Sequence, residues 1–134
     1  MANALYPKWK EQLLQFTTNN NLSAGTVKVA LIDTGVYTYN SADQFWSSAS
    51  SASVGTPQTI GSKTFTNGTF DGADVTYTAV TGSTVEALVI YIDTGSAATS
   101  PLVAYIDTSV TGLPVTPNGG DITITWNASG IFAL

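Results

Sequence analysis

Apolar positions along this chain fall into two periods, and the shorter period dominates. The runs VKVALID (Val27 to Asp33), EALVIYID (Glu86 to Asp93) and LVAYI (Leu102 to Ile106) are apolar almost without interruption, the pattern of strands buried on both faces. Around Asp121 to Asn127 the pattern becomes strict alternation, with Ile122, Ile124 and Trp126 on one face after the turn PNGG. Only one segment repeats at helical spacing: after Pro7, a good first-turn residue, Trp9, Leu13 and Phe16 recur at i, i+4 and i+7. This predicts a helix over residues 7–20, stopped by the run Asn19, Asn20, Asn21, and a first strand from Thr26 to Asp33 behind Gly25.

Between these elements the signals are weaker. Asn40 or Ser41 with Gln44 reads as the cap of a short helix, and the Ser/Ala tract that follows, too small in side chain to pack a core, reads as a mobile loop. Thr59 to Thr66 and Thr69 to Val80 alternate on either side of Asn67-Gly68, which predicts a β-hairpin with Val75, Tyr77 and Ala79 sharing a face. The expected fold is mainly β: an antiparallel β-sandwich or sheet of about six or more strands with one N-terminal α-helix. The 134 residues suit one domain, 1–134, divided into an N-terminal arm (1–6), the helix (7–20) and a β domain (26–134).

Composition then removes most chemistry. With no Cys and no His, thiol catalysis, disulfides, imidazole bases and the usual zinc ligand sets are excluded. The chain has four Lys, no Arg and nine acids for a net charge of −5, and no cation follows Lys63. An acidic half without Arg is poorly suited to a phosphate backbone, so no nucleic-acid partner is expected. No apolar run is long enough for a membrane span, and the start MANALYPKWK lacks the order of a signal peptide, so a soluble protein without a membrane partner is expected. Charged residues make up only 10% of the chain, well below the usual ~25%, which suits a surface that packs against neighbours.

The remaining candidate chemistry lies in carboxylates. Asp33-Thr-Gly and Asp93-Thr-Gly match the triplet by which aspartic proteases present a catalytic acid, and Asp107-Thr-Ser nearly does. A protease needs two carboxylates about one hydrogen bond apart, sharing a proton. Asp and Gly are equally favoured where a strand simply turns, because Asp bonds its own backbone two residues on and Gly tolerates positive φ. That structural reading is the expectation, and no catalytic residue, metal or cofactor is assigned. Asp71, Asp74, Asp93, Asp107 and Asp121 could offer oxygens to Ca²⁺, but FDGADV lacks the ligand repeat of an EF-hand, and solvated turns are favoured. Glu86 could be a glycosidase-type acid only with a paired carboxylate, and an outward strand position is preferred. Trp9, Trp46 and Trp126 could stack sugars, but each sits in an apolar pattern that a core also explains.

Taken together, MANALYPKWKEQLL, VKVALIDT, EALVIYIDTG, LVAYIDT, GLPVTPNGGDITITW and the ending IFAL resemble a family of small tailed-bacteriophage virion proteins over nearly the whole chain. The most specific parts are EALVIYIDTG, LVAYIDT and GLPVTPNGGDITITW in that order and spacing. The resemblance implies a virion structural protein and no enzyme. The favoured role is a capsid decoration (cement) protein on the outer head surface, assembled in the bacterial host cytoplasm. A tail- or neck-associated or host-surface-binding protein is the alternative, and an aspartic hydrolase a distant one. The implied partners are the major capsid protein and further copies of the chain, a trimer being favoured. In a head role, Met1 to Tyr6, apolar and ahead of the helix, would act as an arm, which makes Ala2, Asn3, Ala4, Leu5 and Tyr6 the candidate contact residues.

Overall fold

The computed structural model describes residues 3–18 and 20–134. In chain order its elements are β1 (Ala4–Leu5), α1 (Pro7–Gln15), β2 (Thr26–Ile32), β3 (Ser53–Thr59), β4 (Thr69–Phe70), β5 (Val75–Tyr77), β6 (Ala87–Asp93), β7 (Leu102–Ile106), β8 (Ile122–Ile124) and β9 (Phe132–Ala133). Two short 3-10 turns, Trp46–Ser48 and Ser50–Ala52, lead into β3, and a third spans Thr66–Gly68. The protein is mainly β, as expected: a five-stranded antiparallel sheet in the order β1-β7-β6-β2-β3 is accompanied by two-stranded ribbons β4-β9 and β5-β8.

The near-continuous apolar runs became the middle of this sheet. Strands β6 and β7 are buried along almost their whole length, so both faces of the sheet are covered. Directly opposed residues share a face. The register therefore puts Val29, Ile90 and Ala104 on one face with Leu31, Leu88 and Ile106. The other face carries Lys28 and Tyr91, then Ala30, Val89 and Tyr105. On this second face Trp46 lies flat on Tyr91, rings 4.4 Å apart and 6° from parallel, and Tyr39 bridges Tyr105 and Tyr6. Trp9, Trp46 and Trp126 are all buried, so the tryptophans are core residues.

Several local expectations are corrected. The helix ends at Gln15, not at residue 20, because Phe16 turns into the left-handed region (φ 57°) and its N–H closes on the Gln12 and Leu13 carbonyls. Part of the Asn run then folds back to finish the helix end: Asn20 donates to the Gln12 carbonyl at 2.6 Å and accepts from the Trp9 indole at 3.2 Å. Asn19 lies outside the described residues. No helix starts at Asn40, whose side-chain oxygen accepts from the Ala42 N–H in a simple turn. The Ser/Ala tract is no loose loop either. Ala49 and Ala52 are buried, and residues 53–59 form an edge strand on β2. Asn67-Gly68 does sit at a tight turn flanked by a Thr64–Asp71 bridge, with positive φ at both residues. The segment beyond it, however, splits into β4, which pairs with β9, and β5, which pairs with β8. Val75 and Tyr77 are buried together as expected, but Ala79 is exposed and Val80 is buried in its place.

Candidate functional site

The Asp-Thr-Gly carboxylates come first, because their geometry decides what they can do. Thr26 lies opposite Asp93, whereas Asp33 follows the far end of the same strand. At roughly 3.3 Å per residue the two acids stand about 20 Å apart. Asp107 follows β7 at the Asp33 end, but β6 lies between, a separation of about 10 Å at the usual strand spacing. None of these pairs can share a proton. Each triplet instead builds its own turn: Asp33 Oδ1 accepts from Gly35 N–H at 2.8 Å and Asp93 Oδ1 from Gly95 N–H at 2.9 Å. The Gly95 N–H, together with Lys28 at 2.9 Å, holds the Asp93 carboxyl below the usual carboxylate range. In the third copy the N–H groups of Asp107 and Thr108 both donate to Asn3 Oδ1.

The other acids raised as candidate calcium ligands are spread among separate loops. Asp71 accepts from Gly72 N–H, Asp74 from Trp126 N–H and Asp121 from Ala79 N–H. Among the described residues no three potential ligands cluster to hold a metal ion. Glu86 stands just before β6, half-buried, and its carboxylate accepts from Thr34 N–H at 3.0 Å. It buttresses the Asp33 turn, a role that sequence spacing cannot reveal because the partners are fifty-two residues apart. Lys63 is similar: its ammonium fans onto the carbonyls of Leu22 and Gly25, both at 2.7 Å, and pins the loop between α1 and β2.

The N-terminal candidates divide. Ala2 lies outside the described residues, as does Met1. Asn3 is exposed, but its side chain clasps the end of β7 through Asp107, Thr108 and the Thr108 carbonyl. Ala4 and Leu5 are half-buried and pair with Tyr105 and Ala104 as an added edge strand. Tyr6 is wholly buried, its N–H bonded to Val103 and its hydroxyl to that of Tyr37 at 2.8 Å. Tyr37 in turn donates to Asp43 at 2.9 Å, so Tyr6 is the donor in the first link. Burial, reinforced by the Tyr37 contact, drives the Tyr6 pKa far upward, and burial lifts Tyr37 to about 12. Residues 4–6 are therefore structural members of the sheet and core, which corrects the reading of this segment as a free arm. Tyr6 has no surface to offer a partner.

What the helix pattern concealed is an apolar surface. Trp9 is buried and Leu13 half-buried, but Phe16, the third member of the stripe, is 90% exposed. The groove these three line, with Leu22, Phe65 and Leu134, has a volume of about 320 Å³. Leu14 on the helix flank is 89% exposed. An aromatic row runs from this groove into the core: Phe65 stacks on Phe70 (5.6 Å), Phe70 meets Phe132 (5.3 Å), and Phe132 meets Trp9 edge-on (5.8 Å). Periodicity could not signal this surface, because an i+7 apolar residue reads as core whether or not the helix reaches that far.

The sequence matches no protein-family model and no curated protein. No described helix is long and apolar enough to cross a membrane.

Proposed function

We propose that the chain is a bacteriophage virion structural protein, with capsid decoration as its role: many copies bind the outer head surface and stabilise it, together with the major capsid protein and one another. The observation that supports this best is where the resembling segments lie. EALVIYIDTG and LVAYIDT are the adjacent strands β6 and β7 with their turns, and GLPVTPNGGDITITW contains β8, so the resemblance follows the scaffold itself. The carboxylates point the same way, because Asp33, Asp71, Asp74, Asp93 and Asp121 each give an oxygen to a backbone N–H group. A chain that uses its acids to shape loops is suited to binding by surface complementarity, multiplied by avidity across a repeated shell. Quantitative densitometry of purified virions tests the reading. Decoration requires a copy number comparable with that of the major capsid protein. A tail or neck position gives far fewer copies, and absence from particles refutes a virion role altogether.

A further inference from the structure

We infer that the apolar surface at the C-terminal end of α1, centred on Phe16, is the contact between copies of this chain. Three observations converge on a second copy as the occupant.

The first is conformational. Phe16 occupies the left-handed position that closes the helix, a site where Gly or Asn fits without strain, and there the backbone directs a bulky aromatic into solvent. The second is area. Phe16 (90% exposed), Leu134 (70%) and Phe65 (42%), which all line the groove, together expose on the order of 400 Å², taking ~200 Å² for each large side chain. That falls within the range of the largest apolar patch on a monomer, ~300–600 Å². It is also about half of the ~800 Å² each partner contributes to a stable interface, with Leu14 on the helix flank and the polar groove residues Asn20, Asn21 and Ser23 beside it.

The third is charge. The protein carries −5, so two copies repel over most of their surfaces. None of the groove-lining residues is acidic. Two of the four lysines, Lys8 and Lys10, are on α1, where Glu11 is already paired with Lys8 at 3.0 Å, and a third, Lys63, is anchored on the Leu22 carbonyl beside the groove. The groove therefore brings no acidic side chain against a like-charged copy. Such a patch can pack against its own counterpart across a two-fold axis.

The inference adds a surface to the self-association included in the proposed role, and it is tested on purified protein without particles, so either can fail while the other stands. Sedimentation equilibrium of the full chain over a dilution series should give a small integer multiple of the chain mass. Phe16→Asn and Leu14→Lys should each weaken association about tenfold or more, as expected for a central interface residue. Val36→Lys, at an exposed apolar position outside the groove, should leave association unchanged. Phe16→Asn is informative because Asn accepts the left-handed backbone: its melting temperature should match or exceed that of a dissociated wild-type chain, which separates lost association from lost folding. A wild type that stays monomeric at all concentrations, or an oligomer that survives both Phe16→Asn and Leu14→Lys, overturns the inference. So does an oligomer disrupted by Val36→Lys alone.

Discussion

Raising the pH should unfold this protein through its tyrosines. All six are shifted upward, chiefly by burial: Tyr37 and Tyr91 to about 12, Tyr6 and Tyr77 further still, and Tyr39 and Tyr105 in the same direction. A folded-state value raised above the unfolded one means that stability is intact below pH ~10 and is lost as pH climbs through the interval up to 12. At pH 11 the unfolded chain gains ~1.4 kcal/mol for each tyrosine that the native state keeps protonated. For Tyr6, Tyr37, Tyr77 and Tyr91 together the loss is on the order of 5 kcal/mol, comparable with the whole stability of a small domain. The assay is a spectrophotometric titration at 295 nm, which reads tyrosinate, run beside far-ultraviolet circular dichroism. Tyrosinate absorbance should remain low at pH 10 and then appear in one cooperative step that coincides with loss of β signal between about pH 10.5 and 12. Gradual ionisation of most tyrosines with a midpoint near pH 10, while the dichroism stays native, would refute the burial described for these tyrosines.

Three further outcomes follow from named contacts. Asp93→Asn and Asp33→Asn should each fold normally with a loss within ~1 kcal/mol in urea unfolding, since Asn can accept the same Gly95 or Gly35 N–H and the Lys28 pair is partly solvated. Trp46→Ala should cost about 3–5 kcal/mol, measured in the same way, because it strips the buried ring from Tyr91 and leaves a cavity over the sheet. Lys63→Met should cost about 1–3 kcal/mol and selectively speed hydrogen exchange in residues 22–25, whose carbonyls its ammonium holds in place.

Strands whose burial is encoded in their own residues could be read from the sequence, and strands whose burial comes from a partner could not. The apolar runs of β2, β6 and β7 and the alternation of β8 announce themselves. By contrast β3, with sequence SVGTPQT, carries a Gly at φ 70° and a Pro, and it is a strand only because β2 offers it a ladder. Its register against β2 slips between Val29 and Leu31, and at Val29 the hydroxyl of Tyr77 donates to the carbonyl at 2.8 Å. Propensity cannot foresee such a pairing. The hairpin expected around Asn67-Gly68 keeps its turn and the Thr64–Asp71 bridge but goes no further, for the same reason: Phe70 and Tyr77 find partners in residues 132 and 122, beyond any local window. The turn-building role of Asp33 and Asp93 was legible because the acceptor and the glycine lie two residues apart. The exposed end of the helix was not, since one left-handed residue moves Phe16 from the core to the surface.

The docking of β1 on β7 joins Ala4 to Tyr105 and Leu5 to Ala104, and Asn3 reaches as far as Thr108. During synthesis, Ala4 and Leu5 thus wait for about a hundred more residues before their binding place exists. In that interval Tyr6 and Trp9 are uncovered, and β2 meets β3 well before β6 emerges to take its other edge. A fold built on pairings so distant in sequence forms late and slowly, on the millisecond-to-second scale of high-contact-order β proteins. The β1–β7 edge is thus one that the earlier-made strand cannot complete until the later one exists.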